Sequence, residues 1–174
     1  MRKVIYGGAC SLDGFLKGPN GELDWLHFSK DVEAVIAQSF ANADAIVFGR
    51  KTWAASAAEG GGGSMPGMKS YVCSRTLREL PAGGAELVRG DAGDFVRELK
   101  ARPGKDILVM SGGNLASSLF TAGVIDEVGL NIHPLLLGSG VPAFLDAGVR
   151  VGLELTGCRA LDGGCALVTY RVKR

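Results

Sequence analysis

Three short segments of this sequence combine the residue types that bind phosphate groups. They are Gly49-Arg50-Lys51-Thr52, Ser74-Arg75-Thr76 and Ser111-Gly112-Gly113-Asn114. Together they offer three cationic side chains and four side-chain hydroxyls. Arginine forms charge-assisted hydrogen bonds with phosphate oxygens, and glycine lets backbone N–H groups approach an anion closely. The set therefore suits a ligand that carries several phosphates.

Each segment has a simpler explanation when it is taken alone, because most arginines are solvated and an isolated Gly-Gly pair is more often only a tight turn. The placement of the three segments favours the interpretation that they bind a ligand. Each segment directly follows a short apolar run, at residues 45–48, 69–73 or 106–110. Such runs indicate strands buried in a parallel sheet, and ligands of open α/β sheets bind at the carboxyl ends of the strands. We therefore expect the three segments to line one crevice.

The other elements follow from the spacing of apolar residues. Strands are predicted at residues 3–10, 85–88 and 127–132, and helices at residues 30–43 and 93–101. Ser29 and Asp91 are the expected N-caps of these helices, and Asn114 that of a helix containing Leu115, Leu119 and Phe120. A further helix is expected to start at Arg50 and to end in the glycine run 60–63. The helix at 30–43 is expected to bury Val32, Val35, Ile36 and Phe40.

Two late apolar runs, at residues 151–159 and 166–172, flank Asp162-Gly163-Gly164, which is typical of a two-strand hairpin. Before them, helices alternate with apolar strands. This order predicts an α/β fold of three layers, with a mainly parallel central sheet and an antiparallel C-terminal hairpin. The length of 174 residues is that of one domain, residues 1–174.

Composition excludes several classes of protein. Apolar residues make up 47% and charged residues 21%, which argues against disorder, and the net charge of +1 gives no support for binding to nucleic acid or to an anionic membrane. The uncharged stretch 107–125 has the length of a membrane span, but its glycines and Asn114 favour strand, turn and helix. We therefore expect a cytoplasmic protein with no membrane partner.

The four cysteines are scattered, without the close spacing of a zinc site, so we expect reduced thiols and no metal. A disulfide between Cys158 and Cys165 across the hairpin is the less favoured alternative. His27 and His133 have no acidic or cysteine partner nearby, and His133 is expected to pack or hydrogen-bond structurally. No Gly-x-Ser-x-Gly, His-Glu-x-x-His or Walker motif is present. A phosphate-binding crevice with few catalytic side chains suggests that a cofactor carries the reaction.

The chain resembles the dihydrofolate reductase-like superfamily, in particular the branch that contains the reductase domain of riboflavin biosynthesis. The matching motifs follow one another in the order and spacing of the family and cover nearly the whole chain. They are Ser11-Leu12-Asp13-Gly14, Gly49-Arg50-Lys51-Thr52-Trp53, residues 69–77, Gly112-Gly113-Asn114-Leu115, residues 122–127, His133-Pro134, residues 137–144 and Tyr170.

The resemblance implies NADPH as the cofactor. Arg50 and Thr52 would contact its phosphates, Ser74-Arg75-Thr76 the 2′-phosphate, and the Gly112-Gly113 turn with its helix the pyrophosphate. The nicotinamide would lie against Ala9. The arginines favour the 2′-phosphorylated cofactor over NADH. The cofactor-binding residues implied are Ala9, Gly49, Arg50, Lys51, Thr52, Ser74, Arg75, Thr76, Ser111, Gly112, Gly113, Asn114 and Leu115.

On the substrate side, the resemblance implies that Ser11, Asp13 and Gly14 border the pocket. Asp13 is the candidate catalytic residue, orienting the substrate or relaying a proton through water. The alternative is a turn aspartate that hydrogen-bonds its own backbone. Asp24-Trp25 is only faintly similar to the folate-binding carboxylate of true dihydrofolate reductase, because it precedes the helix and does not lie in it. Folate reduction is therefore the less expected activity.

The activity expected from the resemblance is that of an NADPH-dependent reductase. Hydride would pass to a small heterocyclic or ribosyl substrate, as in 5-amino-6-(5-phosphoribosylamino)uracil reductase. The resemblance also implies a homodimer that buries apolar segments such as residues 134–137. Two alternatives remain open: a module that binds NADPH or another nucleotide without turnover, and a dimerisation domain that has lost the cofactor.

Overall fold

The computed structural model describes residues 2–58, 67–80 and 84–174. The strands are β1 (Val4–Ser11), β2 (Phe15–Lys17), β3 (Ala43–Gly49), β4 (Lys69–Cys73), β5 (Ala85–Val88), β6 (Asp106–Met110), β7 (Glu127–His133), β8 (Val141–Pro142), β9 (Leu153–Ala160) and β10 (Ala166–Val172). The helices are α1 (Lys30–Ala41), α2 (Arg50–Ser56), α3 (Ala92–Ala101) and α4 (Gly113–Thr121). The predicted end of α2 in the glycine run 60–63 lies outside the described residues.

Eight of these strands form one sheet, in the order β5-β4-β3-β6-β1-β7-β10-β9. Every pair from β5 to β7 is parallel, whereas β10 runs antiparallel to both β7 and β9. The predicted mainly parallel sheet with an antiparallel C-terminal hairpin is therefore confirmed. A separate antiparallel pair joins β2 to β8, two short strands that the sequence analysis did not predict.

Apolar side chains fill both faces of the central strands, as their uninterrupted apolar runs predict. On one face, Val47 and Ile107 belong to a core that continues into α3 and α4. On the other face, Ile46 and Phe48 pack with Trp53 of α2. Because these strands are covered on both sides, their carboxyl ends are held rigidly in register with one another.

Helix α1 departs from the prediction. It ends at Ala41, because β3 already begins at Ala43, and Val32 is its only buried residue. Ile36 is 37% exposed, so the predicted burial of the apolar face is largely wrong. The apolar face of α1 borders a cavity and does not lie directly on the sheet. The predicted N-cap is confirmed, since the Ser29 hydroxyl accepts the Val32 N–H.

The cysteines at positions 10, 73, 158 and 165 are all free thiols. Cys158 lies opposite Val168 in the hairpin, so it does not meet Cys165. Across the described ranges, no cluster of three or more His, Cys, Asp or Glu side chains is arranged to hold a metal ion. None of the helices in those ranges has the length and apolar character needed to cross a membrane.

A buried tyrosine fastens the segment after β8 to β1. The Tyr6 hydroxyl donates a hydrogen bond to the Ala143 carbonyl at 2.5 Å, and its ring packs edge-on against Phe120 and Phe144. Burial raises the pKa of Tyr6, so the hydroxyl stays protonated and keeps donating.

Replacing Tyr6 by phenylalanine removes this hydrogen bond and keeps the ring. We expect Tyr6→Phe to lower the free energy of unfolding by about 1–2 kcal/mol, because the buried Ala143 carbonyl loses its hydroxyl donor. Urea denaturation followed by circular dichroism measures the change. The control is Tyr170→Phe, where the hydroxyl makes no hydrogen bond to a described residue. Equal effects of the two substitutions would contradict the assignment.

Candidate functional site

The three phosphate-binding segments of the sequence lie side by side in the structure. Gly49, the last residue of β3, pairs with Cys73 of β4, and Phe48 pairs with Met110 of β6. The segments that follow these strands therefore emerge from three adjacent strand ends at one edge of the sheet. This is the arrangement that the apolar runs predicted.

Basic side chains are concentrated at this edge. Arg50, Lys51 and Arg75 are exposed, and none of them forms an ion pair with another residue in the described ranges. Arg89 adds a further exposed cation, which the sequence analysis missed. It follows β5, and the carbonyl of Val88 accepts the Ser74 N–H at 3.0 Å, so the two strand ends are joined. The only sequence signal for Arg89 was its position directly after a strand.

The turn after β4 is held by its own hydroxyl. The Ser74 Oγ accepts the N–H groups of Thr76 and Leu77 at 3.3 and 3.1 Å. These bonds define the turn in which Arg75 is exposed. Thr52, in the first turn of α2, is half-buried. The arrangement supplies hydroxyls and guanidinium groups within one short stretch of the edge, as binding of a phosphate requires.

Helix α4 begins two residues earlier than predicted. Gly112 is the N-cap in an extended conformation and makes no side-chain capping bond, whereas Asn114 lies inside the first turn. The prediction of Asn114 as N-cap is therefore wrong: Gly113 already has helical geometry. The side chains of Ser29 and Asp91 cap the N-termini of α1 and α3 by accepting backbone N–H groups. The first N–H groups of α4 have no such side-chain acceptor. An uncapped terminus of this kind attracts an anion.

Close packing explains part of the glycine content at this terminus. A Cβ on Gly113 would lie 2.5 Å from the Leu145 Cγ, and one on Gly49 would lie 3.4 Å from the Ser111 Cβ. Ser111 itself is only 6% exposed, and its Oγ has no hydrogen-bond partner among the described residues. Buried hydroxyls are normally paired, so this one is available to a ligand at the start of α4. Leu115 lies in the first turn of α4, where the backbone N–H groups have no partner within the helix, so its N–H can also face that ligand.

A cavity of about 710 Å³ lies between α1 and the sheet. Its walls include Val35 and Ile36 of α1, and its floor includes Gly7, Ala9 and Gly129. This volume is typical of sites for cofactors and small molecules. Ala9, predicted to contact the nicotinamide, therefore lies at the boundary between the sheet edge and the cavity.

The floor of the cavity is bare because glycines face one another across the strands. Gly7 pairs with Gly129, Gly129 with Thr169, and Thr169 with Gly157. A Cβ on Gly7 would lie 2.7 Å from the Gly129 carbonyl oxygen, so no larger residue fits without moving the backbone. Small residues within a strand are typical of a close approach by a ligand or by another backbone, and here the close approach is to backbone.

The polar groups of the cavity include one that the sequence analysis missed. The Oδ1 atom of Asn131 is buried and has no partner among the described residues. His133 lies two residues further along β7 and is 2% exposed. Its Nε2 accepts the His27 N–H at 3.1 Å. Its Nδ1 lies 3.3 Å from the Asn131 carbonyl, so the proton is on Nδ1 and both ring nitrogens are used. The predicted structural role of His133 is confirmed.

Asp13 uses its carboxylate to join two turns. It accepts hydrogen bonds from the Ser11 hydroxyl at 2.6 Å and from the N–H groups of Leu137 and Gly138 at 3.1 and 2.7 Å. The Ser11 hydroxyl, followed by the backbone N–H groups, lowers the pKa of Asp13. Neither Ser11, Asp13 nor Gly14 lines the cavity. These hydrogen bonds give Asp13 a structural role. A role of Asp13 in the reaction stays a prediction.

Comparison with known proteins agrees with this geometry. The family model of the RibD C-terminal domain matches residues 2–167. The uncharacterized protein YyaP of Bacillus subtilis (strain 168) is 32% identical, over 98% of this chain and 95% of that protein.

Two solved structures show the shared fold. A protein of Shewanella sp. PV-4, provisionally assigned to riboflavin biosynthesis, superposes with a TM-score of 0.88 and 27% identity, over 99% of both chains. The dihydrofolate reductase of Enterococcus faecalis, complexed with NADP(H), superposes with a TM-score of 0.68 and 14% identity, over 99% of this chain and 97% of that one. The fold is therefore dihydrofolate reductase-like, and the chain belongs to the family of the RibD C-terminal domain.

Proposed function

We propose that this protein is an NADPH-dependent reductase that transfers hydride to a C=N or C=O bond of a small heterocyclic or ribosyl substrate. One observation carries the proposal. The uncapped terminus of α4, with the unpaired Ser111 hydroxyl, lies in line with the exposed cations at the ends of β3, β4 and β5. This edge suits a long ligand with phosphates at two places, and it adjoins a cavity large enough for a ring system.

Each part of the edge has a role in this proposal. Arg75 and the turn around it bind the 2′-phosphate, Arg50 and Thr52 contact phosphate oxygens, and the first N–H groups of α4 bind the pyrophosphate. The nicotinamide lies against Ala9, where the strand carries no bulky side chain. When bound, NADPH would supply a hydride and leave as NADP⁺.

The protein's own residues position the substrate. Reduction of one double bond also takes up a proton. The one carboxylate that lines the cavity within the described ranges is Glu127, which pairs with Lys3 at 2.8 Å. Glu127 is opposite Ile5 and Asn131 is opposite Ala9, so this carboxylate lies about 13 Å along the strand from Ala9. We therefore assign the proton to solvent water.

The position of Asp24 weighs against folate reduction. Asp24 is exposed, precedes α1 and does not line the cavity. Within the described ranges, the one carboxylate that lines the cavity is Glu127, which is paired with Lys3, so none there is free to pair with the ring of a folate.

We also propose a cytoplasmic homodimer. Free thiols agree with a reducing compartment. Leu136 is 70% exposed, and burial against a second subunit would remove this apolar side chain from water. In the homodimer, residues 134–137 are buried between the subunits.

Titration with NADPH and NADH in parallel tests the cofactor. We expect NADPH to bind at least about tenfold more tightly, because each charge-assisted hydrogen bond to the 2′-phosphate adds affinity that NADH lacks. Nicotinamide fluorescence and the shift in melting temperature both measure the binding. Absence of binding by either nucleotide would leave the dimerisation domain as the better description. Binding without oxidation in a substrate screen would favour the non-catalytic module.

Charge removal at the same edge tests the residue assignment. We expect Arg75→Ala to weaken NADPH binding about tenfold or more and to change NADH binding by less than about threefold, because only NADPH carries the 2′-phosphate. The control is Arg171→Ala at the opposite edge of the sheet, which removes an exposed arginine paired with Glu154. The assignment is wrong if both variants weaken NADPH equally.

The pH dependence of stability tests the role of Asp13. Its pKa is lowered in the folded protein, so its ionised form contributes stability above the usual pKa of roughly 4, and this is lost as the pH falls through the lowered pKa. We expect Asp13→Asn to be less stable than the wild type at pH 7 and the difference to shrink at pH 3. Urea unfolding at both pH values measures it. A difference that does not depend on pH would contradict the ionic role.

A further inference from the structure

The cavity under α1 differs in chemistry from the cationic edge beside it. Its walls are mainly aliphatic and aromatic, and within the described ranges the charged side chains that line it are those of Glu127 and Arg159. Glu127 is paired with Lys3, and Arg159, the one cation lining it within the described ranges, lies on the exposed strand β9. If the proposed reductase function holds, this is the compartment in which the substrate ring meets the nicotinamide.

Asn131 is the polar side chain best placed to select that ring. It lies on β7 directly opposite Ala9, and its Oδ1 is buried without a partner. Two neighbouring polar side chains are already engaged. His133 uses both ring nitrogens, and the Thr169 hydroxyl lies between Thr156 Oγ1 at 3.3 Å and the Gly157 carbonyl at 3.5 Å. An unpaired buried amide is costly, so a ligand that pairs with it gains affinity.

A side-chain amide presents an acceptor and a donor next to each other. Its complement is a ring edge with an N–H group beside a C=O group, as in a lactam. The floor below has no side chains at Gly7 and Gly129, so a flat ring can lie on it, while Val35 and Ile36 cover the other face. A planar, uncharged ring matches both surfaces.

We propose that the substrate is a neutral, planar nitrogen heterocycle with a lactam edge that pairs with Asn131, and that it carries no phosphate. Phosphate sites in proteins combine several donors, as the neighbouring edge does with its arginines and helix terminus. Among the residues that the structure describes, the cavity offers one cation, the exposed guanidinium of Arg159. This proposal rests on the proposed function and narrows it, because it excludes phosphoribosyl substrates.

Four probes test the proposal by binding alone. They are quinazolin-4(3H)-one, its 3-methyl analogue, uracil and uridine 5′-monophosphate, each titrated by calorimetry into the protein with and without saturating NADPH. We expect quinazolin-4(3H)-one to bind about tenfold more tightly than the methyl analogue, which has lost the ring N–H. We expect uracil to bind at least as tightly as its phosphoribosyl derivative.

Variants identify the residue responsible. Asn131→Leu keeps a side chain of similar size and should reduce the tenfold ratio between the two quinazolinones to about one. Gln38→Leu, which removes an exposed amide from the α1 wall, is the matched control and should preserve the ratio. Melting temperatures of both variants show that they are folded.

Three outcomes overturn the proposal. One is equal binding of the two quinazolinones by the wild type, and the second is an unchanged ratio in Asn131→Leu. The third is tighter binding of uridine 5′-monophosphate than of uracil, lost in Arg159→Ala, which would show that the cavity selects a phosphate. A protein that binds NADPH but fails these tests keeps the proposed function. A protein that binds quinazolin-4(3H)-one but not NADPH loses the proposed function.

Discussion

The close approach of β1 to β7 is the constraint on which the rest of this structure depends. Gly7 faces Gly129 at a separation that no Cβ on Gly7 can enter, and the row continues outward through Thr169 to Gly157. Because Gly7 and Gly129 carry no side chains, the apolar face of α1 has little to pack against in its middle. A cavity, and not a core, therefore forms on this side of β1, next to the edge where the parallel strands end.

One buried polar contact and one exposed polar contact fix the loops around that edge. Tyr6 holds Ala143, and Asp13 holds the turn at Leu137 and Gly138. Neither residue touches the cavity, yet both set where its neighbouring segments lie. Hydrogen bonds of this kind place backbone groups that the parallel sheet alone leaves undetermined. Asp13, which the family resemblance implies to be catalytic, therefore has a structural role in this protein.

The sequence predicted those parts of the molecule that local pattern determines. The strands Lys69–Cys73 and Ala85–Val88 have the predicted bounds, because turn residues lie on both sides of each strand. The burial of α1 was predicted wrongly, since helical periodicity shows which face is apolar but not whether a partner covers it. Asn131 was missed for a related reason. It stands out because its buried Oδ1 has no hydrogen-bond partner among the described residues, and this can be seen only when the residues around it are in place. Arg89 became visible only once β5 was known to lie next to β4.

Helix α1 is secured mainly at its ends. Asp31 in its first turn accepts the Asp162 N–H at 2.8 Å, and the Asn42 carbonyl after its last turn accepts the Asp106 N–H at 3.1 Å. Between these points its apolar side borders empty volume. A helix fixed in this way can exchange its amide hydrogens by local opening, without unfolding the sheet beneath it. Any molecule that fills the space would slow that exchange, so the backbone of α1 serves as an internal reporter of occupancy.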